Sequence, residues 1–163
     1  MLLLLIRHAN ASERDPERWP DDRDRPLTDK GRKTQRKVSR ALGKLGLVPT
    51  RVLTSPWTRA AQTAEILIEE LGLGAPAIAI EALATNPDLV RLADDIGDPG
   101  PSAIVALVGH SPWMEDLAAI LLTDSPAGLR IDFPKSGVMG IDVERPAAGA
   151  GELRFLIRPK MVE

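Results

Sequence analysis

No cysteine occurs in the 163-residue sequence. That absence excludes disulfides, thiol catalysis and cysteine-ligated zinc together, and it suits a reducing compartment. A basic excess is missing too, since 21 lysines and arginines stand against 23 acidic residues for a formal net charge of -2. Nucleic-acid binding by general phosphate neutralisation finds no support in that balance, so an anionic ligand must be met by a local group of cations. Long apolar runs are absent as well. Leu2-Leu3-Leu4-Leu5-Ile6 is followed by Ala9-Asn10-Ala11, which imitates a small-residue cleavage site. The run is nevertheless shorter than the roughly 7–15 residues of a secretory core, no basic segment precedes it, and a bilayer span needs about 20. It reads as a buried strand beginning almost at residue 1, in a cytoplasmic protein without membrane contact.

What is present is enough apolar material, 44% of residues, for one core at this length, so residues 1–163 are expected to form a single domain. Strand-like runs at Leu2–Ile6, Arg51–Thr54, Ala77–Ile80 and Ala103–Val108 alternate with helical patterns. Val38, Ala41, Leu42 and Leu45 mark one helix face, Ala64, Leu67, Ile68 and Leu71 another, and Met114, Leu117, Ala118 and Leu121 a third. A weaker helix is expected over Pro87–Ile96. This alternation predicts an α/β fold around a mainly parallel sheet. Thr28 caps the first helix in this reading, and Ser55-Pro56 and Ser111-Pro112 each open a helix with serine as cap and proline in the first turn. Gly137–Val143 and Leu153–Ile157 read as a closing antiparallel pair. Asp15 to Pro26 crowds charges and three prolines around Trp19 and reads as a surface loop, a solvated connector rather than a substrate-facing flap. Internal repeats, glycine-rich phosphate loops and dinucleotide fingerprints are not found.

The chain has only two histidines, and each directly follows an apolar run: Arg7-His8 after Leu2–Ile6 and Gly109-His110 after Ala103–Val108. Both therefore emerge at carboxyl ends of strands, the edge where open α/β sheets bind ligands. Arg59, in the first turns after Arg51–Thr54, faces the same crevice. Singly, a strand-end histidine is most often structural and a buried arginine most often an ion-pair partner; the coincidence of three segments is what carries the reading. Two guanidinium forks beside a helix start form an anion site suited to phosphate. A neutral imidazole in line with phosphorus is a competent nucleophile, which makes His8 the candidate, with Arg7, Arg59 and His110 stabilising the transferred group. His8 is expected neutral with one ring nitrogen tied to an acceptor, and His110 cationic, giving a bell-shaped pH profile. A metal bound by both histidines is disfavoured, because the His-x-x-x-His spacing is absent.

Four segments in order resemble the histidine phosphatase superfamily, in particular its short SixA-like phosphohistidine phosphatases. They are Leu5-Ile6-Arg7-His8-Ala9, Arg25-Pro26-Leu27-Thr28 with Gly31, Thr54-Ser55-Pro56 with Arg59-Ala60 and Gln62-Thr63, and Val108-Gly109-His110-Ser111-Pro112. The resemblance spans residues 1 to about 118. It implies a three-layer α/β/α, phosphoglycerate mutase-like fold, His8 as nucleophile in a pocket with Arg7, Arg59 and His110, contacts from Asn10 to phosphate, and no metal or organic cofactor.

In ester-cleaving relatives a carboxylate sits after the third strand, where Glu81 and Asp88, flanking Thr85-Asn86, are the candidate general acids, Glu81 first. A phosphohistidine needs such an acid least, since imidazole leaves as a neutral base with a reference pKa near 6.5. The expected partner is accordingly a phosphorylated protein, such as a histidine phosphotransfer domain, acted on by a cytoplasmic monomer. The rivals are a phosphomonoesterase acting on small phosphate esters and a non-catalytic phosphate-binding module. Trp57 and Trp113 either pack over the helix starts or form an aromatic rim for the substrate.

Overall fold

Alternating apolar runs and amphipathic helices build one six-stranded sheet in the computed structural model of the protein, which describes residues 1–162. Strands β1 (Leu2–Arg7), β2 (Arg51–Thr54), β3 (Ile78–Ala79) and β4 (Ile104–Gly109) run parallel, and β5 (Val138–Asp142) and β6 (Glu152–Ile157) are antiparallel additions. Their order across the sheet is β3-β2-β4-β1-β5-β6. The central strand β1 pairs with β4 on one side and β5 on the other, which is why its core residues, Leu3 to Ile6, are wholly buried.

Period-two alternation sends those residues to opposite layers. Leu4 and Ile6 pack with Val38 and Leu42 of helix α1 (Asp29–Lys44) and with Ala64 and Leu67 of α2 (Thr58–Leu71). Leu3 and Leu5 pack with Leu92 and Ile96 of α3 (Leu89–Ile96) and with Leu117 and Leu121 of α4 (Trp113–Thr123). The result is the three-layer α/β/α sandwich that the resemblance implies, around the mainly parallel sheet that the pattern predicts. None of the described helices is long and apolar enough to cross a membrane.

Thr28 caps α1, its hydroxyl accepting from the Gly31 amide at 3.0 Å. The other two helix starts differ from expectation. Ser55 carries the pairing one residue past β2, donating its amide to Val108 O at 2.9 Å, so α2 begins at Thr58 with Trp57 as its cap and no side-chain capping bond. Pro112 rather than Ser111 caps α4, and the Ser111 hydroxyl donates instead to Glu115 at 2.6 Å. Strand β3 shrinks to two residues, because this edge pairs only with Leu53 and Thr54 and leaves Ile78 half exposed.

Candidate active site

The parallel register sets Arg7 opposite Gly109 and Thr54 opposite Val108. The next residues, His8, His110 and Ser55, therefore emerge side by side at the carboxyl edge. The two imidazoles lie 5.2 Å apart, centre to centre. His8 is fixed through its backbone amide, which donates to Gly109 O at 3.0 Å, and through its ring, where Nδ1 lies 2.7 Å from Ala9 O. A carbonyl only accepts, so Nδ1 carries the proton and Nε2 keeps its lone pair. Thr63 of α2 locks the following residue by accepting from the Ala9 amide at 3.0 Å while donating to Arg59 O at 2.7 Å.

Arg59 is buried, donating to the backbone oxygen of Asp22 at 2.8 Å and lying 3.3 Å from its carboxylate, with its guanidinium 4.7 Å over the Trp57 ring. Arg7 donates to Phe133 O at 2.7 Å. Four polar atoms on these converging segments are buried without a protein partner: Arg7 Nε, Arg59 Nε, His110 Nδ1 and Ser136 Oγ. Buried polar groups are rarely left so, and an oxyanion at this edge would give the donors among them an acceptor.

Burial, offset in part by the bond to Ala9 O and reinforced by Arg59, Arg7 and Lys135, lowers the His8 pKa to about 3. Burial together with the charges of His8 and Arg59 does the same to His110, also to about 3, against a smaller opposing pull from Asp22. The expected cationic His110 is therefore replaced by a neutral ring in the free pocket, since desolvation among other cations penalises a further positive charge. Its Nε2 lies 2.8 Å from Ser55 Oγ. Trp57 packs against it at 4.5 Å and Trp113 at 5.9 Å, while the two indoles meet edge to face. Both tryptophans are half-buried, so they pack over the helix starts and also wall the second histidine.

The segment from Asp15 to Pro26 is more than a connector. Its short 3-10 helix, Asp22–Asp24, brings Asp22 between Arg59 and Arg25, with Arg25 donating to its carboxylate at 2.9 Å. That bond comes first among the causes that hold the Asp22 carboxyl below the usual range. Asn10 anchors the same wall: its amide nitrogen donates to Thr28 Oγ1 at 3.2 Å, and its side-chain oxygen accepts from Lys135 Nζ at 3.1 Å. Lys135 and Ser136 arrive on the loop before β5, the Ser136 amide donating to Arg7 O at 3.0 Å from a backbone φ of 59°. Partial burial and the neighbouring Arg7, Arg25 and Arg59 lower the Lys135 pKa. Sequence reasoning passed over Asp22, Arg25, Ser55, Thr63, Lys135 and Ser136. For Arg25, Ser55 and Thr63 the motifs were a signal; nothing local pointed to the others.

Glu81 lies outside this group, exposed at the start of a 3-10 turn. Asp88 is engaged as the cap of α3, accepting from the amides of Val90 and Arg91 at 3.1 Å. No group of three side chains suited to hold a metal ion occurs among the described residues.

The sequence model of the histidine phosphatase superfamily (branch 1) matches residues 3–84. An uncharacterized protein of Picosynechococcus sp. is 34% identical over 147 residues, covering 86% of this chain and 84% of its own. Among solved structures, the protein histidine phosphatase SixA complexed with tungstate superposes over the whole of both chains with a TM-score of 0.82 at 24% identity. A protein from Agrobacterium tumefaciens assigned as the phosphohistidine phosphatase SixA gives 0.74 at 26% over 97% of each chain. A phosphoserine phosphatase of Entamoeba histolytica in complex with 3-phosphoglyceric acid gives 0.65 at 14% over 96% of each.

Proposed function

The chain belongs to the histidine phosphatase superfamily, and on that premise we propose that it removes the phosphoryl group from phosphohistidine on a protein, passing it through His8. In this reading Arg7 and Arg59 hold the non-bridging oxygens, and Nε2 of His8 attacks phosphorus. The bond from phosphorus to the substrate ring breaks, its electron pair stays on that ring nitrogen, and the proton on the other nitrogen lets the ring leave as neutral imidazole. Water then attacks the phosphorylated His8, the electron pair returns to Nε2, and the water's proton departs with inorganic phosphate. His110 donates to the oxygens as they gain charge.

The observation that carries the choice of substrate is the state of the carboxylates. Asp22, the acid bound to Arg59, is kept ionised by Arg25, Glu81 is exposed and Asp88 is engaged as a cap. An alkoxide leaving group needs a proton that this pocket is not arranged to supply, whereas imidazole does not. The same reading makes the protein a cytoplasmic monomer of one domain, working without metal or organic cofactor, with Asn10 positioning the pocket loop and a phosphorylated protein as its partner.

The test is quench trapping of labelled phosphate on wild type and His8→Ala, offered a phosphohistidine protein and p-nitrophenyl phosphate. Label that survives base, is lost in acid, requires His8 and forms faster from the phosphohistidine protein is the expected result. Turnover with no label on His8 overturns the nucleophile assignment. Dominant ester turnover favours a small-molecule phosphomonoesterase, and phosphate binding without turnover favours a recognition module.

A further inference from the structure

Helix α1 carries Lys30, Arg32, Lys33, Arg36, Lys37, Arg40 and Lys44 against the single acid Asp29, in a chain whose net charge is -2. Six of these seven cations divide by direction, and Arg32 is half-buried. Arg36 and Arg40 turn toward α2, where they pair with Glu70 at 3.3 and 2.6 Å. Lys30, Lys33, Lys37 and Lys44 are exposed, and none has a salt-bridge partner among the described residues. At about 100° per residue these four fall within about 60° of one another, opposite the buried Gln35, Val38, Ser39 and Leu42, and at 1.5 Å per residue they span about 21 Å.

The start of the helix that carries this rail abuts the pocket loop. Thr28, the cap of α1, donates its amide to Asn10 O at 3.0 Å, and Gly31 lies so close that a Cβ there would sit 2.1 Å from the same oxygen. At the other end Lys37, Arg40, Lys44, Ala41, Leu45 and Val162 line a shallow groove of about 380 Å³, and Leu45 is 61% exposed. Charge and apolar foothold therefore lie along one line that leads away from the phosphoryl site.

We infer that this face of α1 is the docking surface for the phosphoprotein substrate, and that it receives an amphipathic helix bearing acidic residues on successive turns, beside the phosphorylated histidine. The inference rests on the reading that the substrate is a protein. Complementarity favours an acidic peptide over a nucleic acid: no aromatic ring interleaves the rail, and Glu65 and Glu69 of α2 are exposed nearby, where an extended polyanion would be repelled.

The experiment uses two phosphohistidine peptides of equal length and high helicity, one with glutamates on successive turns and one with glutamines there. Wild type is compared with the Lys30→Gln, Lys33→Gln, Lys37→Gln, Lys44→Gln variant, with p-nitrophenyl phosphate turnover as the check that pocket and fold are intact. Wild type is expected to favour the acidic peptide by about tenfold in kcat/KM at low salt, and the variant by no more than about twofold. Binding of the unphosphorylated acidic peptide is measured in parallel. If neither phosphopeptide turns over but the peptide still binds wild type and not the variant, the docking surface stands and the proposed substrate falls. Equal preference in wild type and variant, or tighter binding of a DNA duplex or of phosphatidylglycerol vesicles than of the acidic peptide, overturns the inference.

Discussion

The two imidazoles decide how the pocket responds to pH. Both are buried among cations, and both titrate near 3 rather than at the ordinary 6.5. A nucleophile titrating at 6.5 would be about 90% protonated at pH 5.5 and its rate would fall about tenfold. His8 in this pocket keeps its lone pair throughout that range. After correction for the substrate's own ionisation, kcat/KM is therefore expected to stay level from pH 7.5 to 5.5, in place of the bell whose two limbs the bare sequence suggests. A pH series in wild type checks it, and a tenfold fall across that interval would contradict the burial argument. The histidines themselves were legible because each stands alone behind an apolar run. Asp22 and Lys135 were not, since they reach the pocket through contacts with Arg59 and Asn10, 37 and 125 positions away along the chain, and no local pattern encodes such a contact.

At the scale of elements, helical periodicity located the four α-helices of the described residues, and apolar runs located the four parallel strands and the closing antiparallel pair. The pattern missed the helix starts at the Ser-Pro dipeptides: the Ser55 hydroxyl accepts from the Trp57 amide at 3.2 Å but is shared with His110, and the Ser111 hydroxyl is taken by Glu115. The segment containing Asp22 departs from the expected connector because its prolines and charges describe a surface without saying what that surface touches, and here it touches Arg59. The start of α1 shows how an element positions the site. Asn10 O is held by both the amide and the hydroxyl of Thr28, and Gly31 leaves it room. Alanine at position 31 would gain about 1 kcal/mol of helix propensity, yet its Cβ would meet a fixed backbone oxygen at 2.1 Å. Gly31→Ala is expected to destabilise the protein by about 2 kcal/mol and to lower activity by displacing Asn10. Gly43→Ala in the same helix meets only the Leu71 side-chain tip at 3.0 Å and is expected to be near neutral. Urea unfolding of the two variants separates the cases, and equal effects would show that the contact with Asn10 O does not govern this position.

For the whole molecule, the same buried imidazoles link stability to pH and to bound oxyanion. The unfolded chain binds a proton on each histidine as pH falls below about 6.5, while the folded chain, with both values near 3, does not. Their contribution to stability is thus fully present above pH 6.5 and is lost progressively as pH falls toward 3. Because the chain has only two histidines and ordinary carboxylates titrate near 4, the interval from pH 6.5 to 5 belongs to this pair. Its limiting slope is about 2.7 kcal/mol per pH unit for two uncompensated protons. An oxyanion seated between Arg7, Arg59 and the two rings changes the balance, because its negative charge favours protonation of the imidazoles in the folded state. Tungstate, a tetrahedral oxyanion like phosphate, is therefore expected to raise Tm more at pH 5.5 than at pH 7.5 and to flatten the pH dependence of stability. Thermal unfolding across that range, with and without tungstate, reads both effects. Replacing either histidine with asparagine is expected to remove about half of the slope, whereas a slope unchanged in both variants would place the proton linkage outside the pocket.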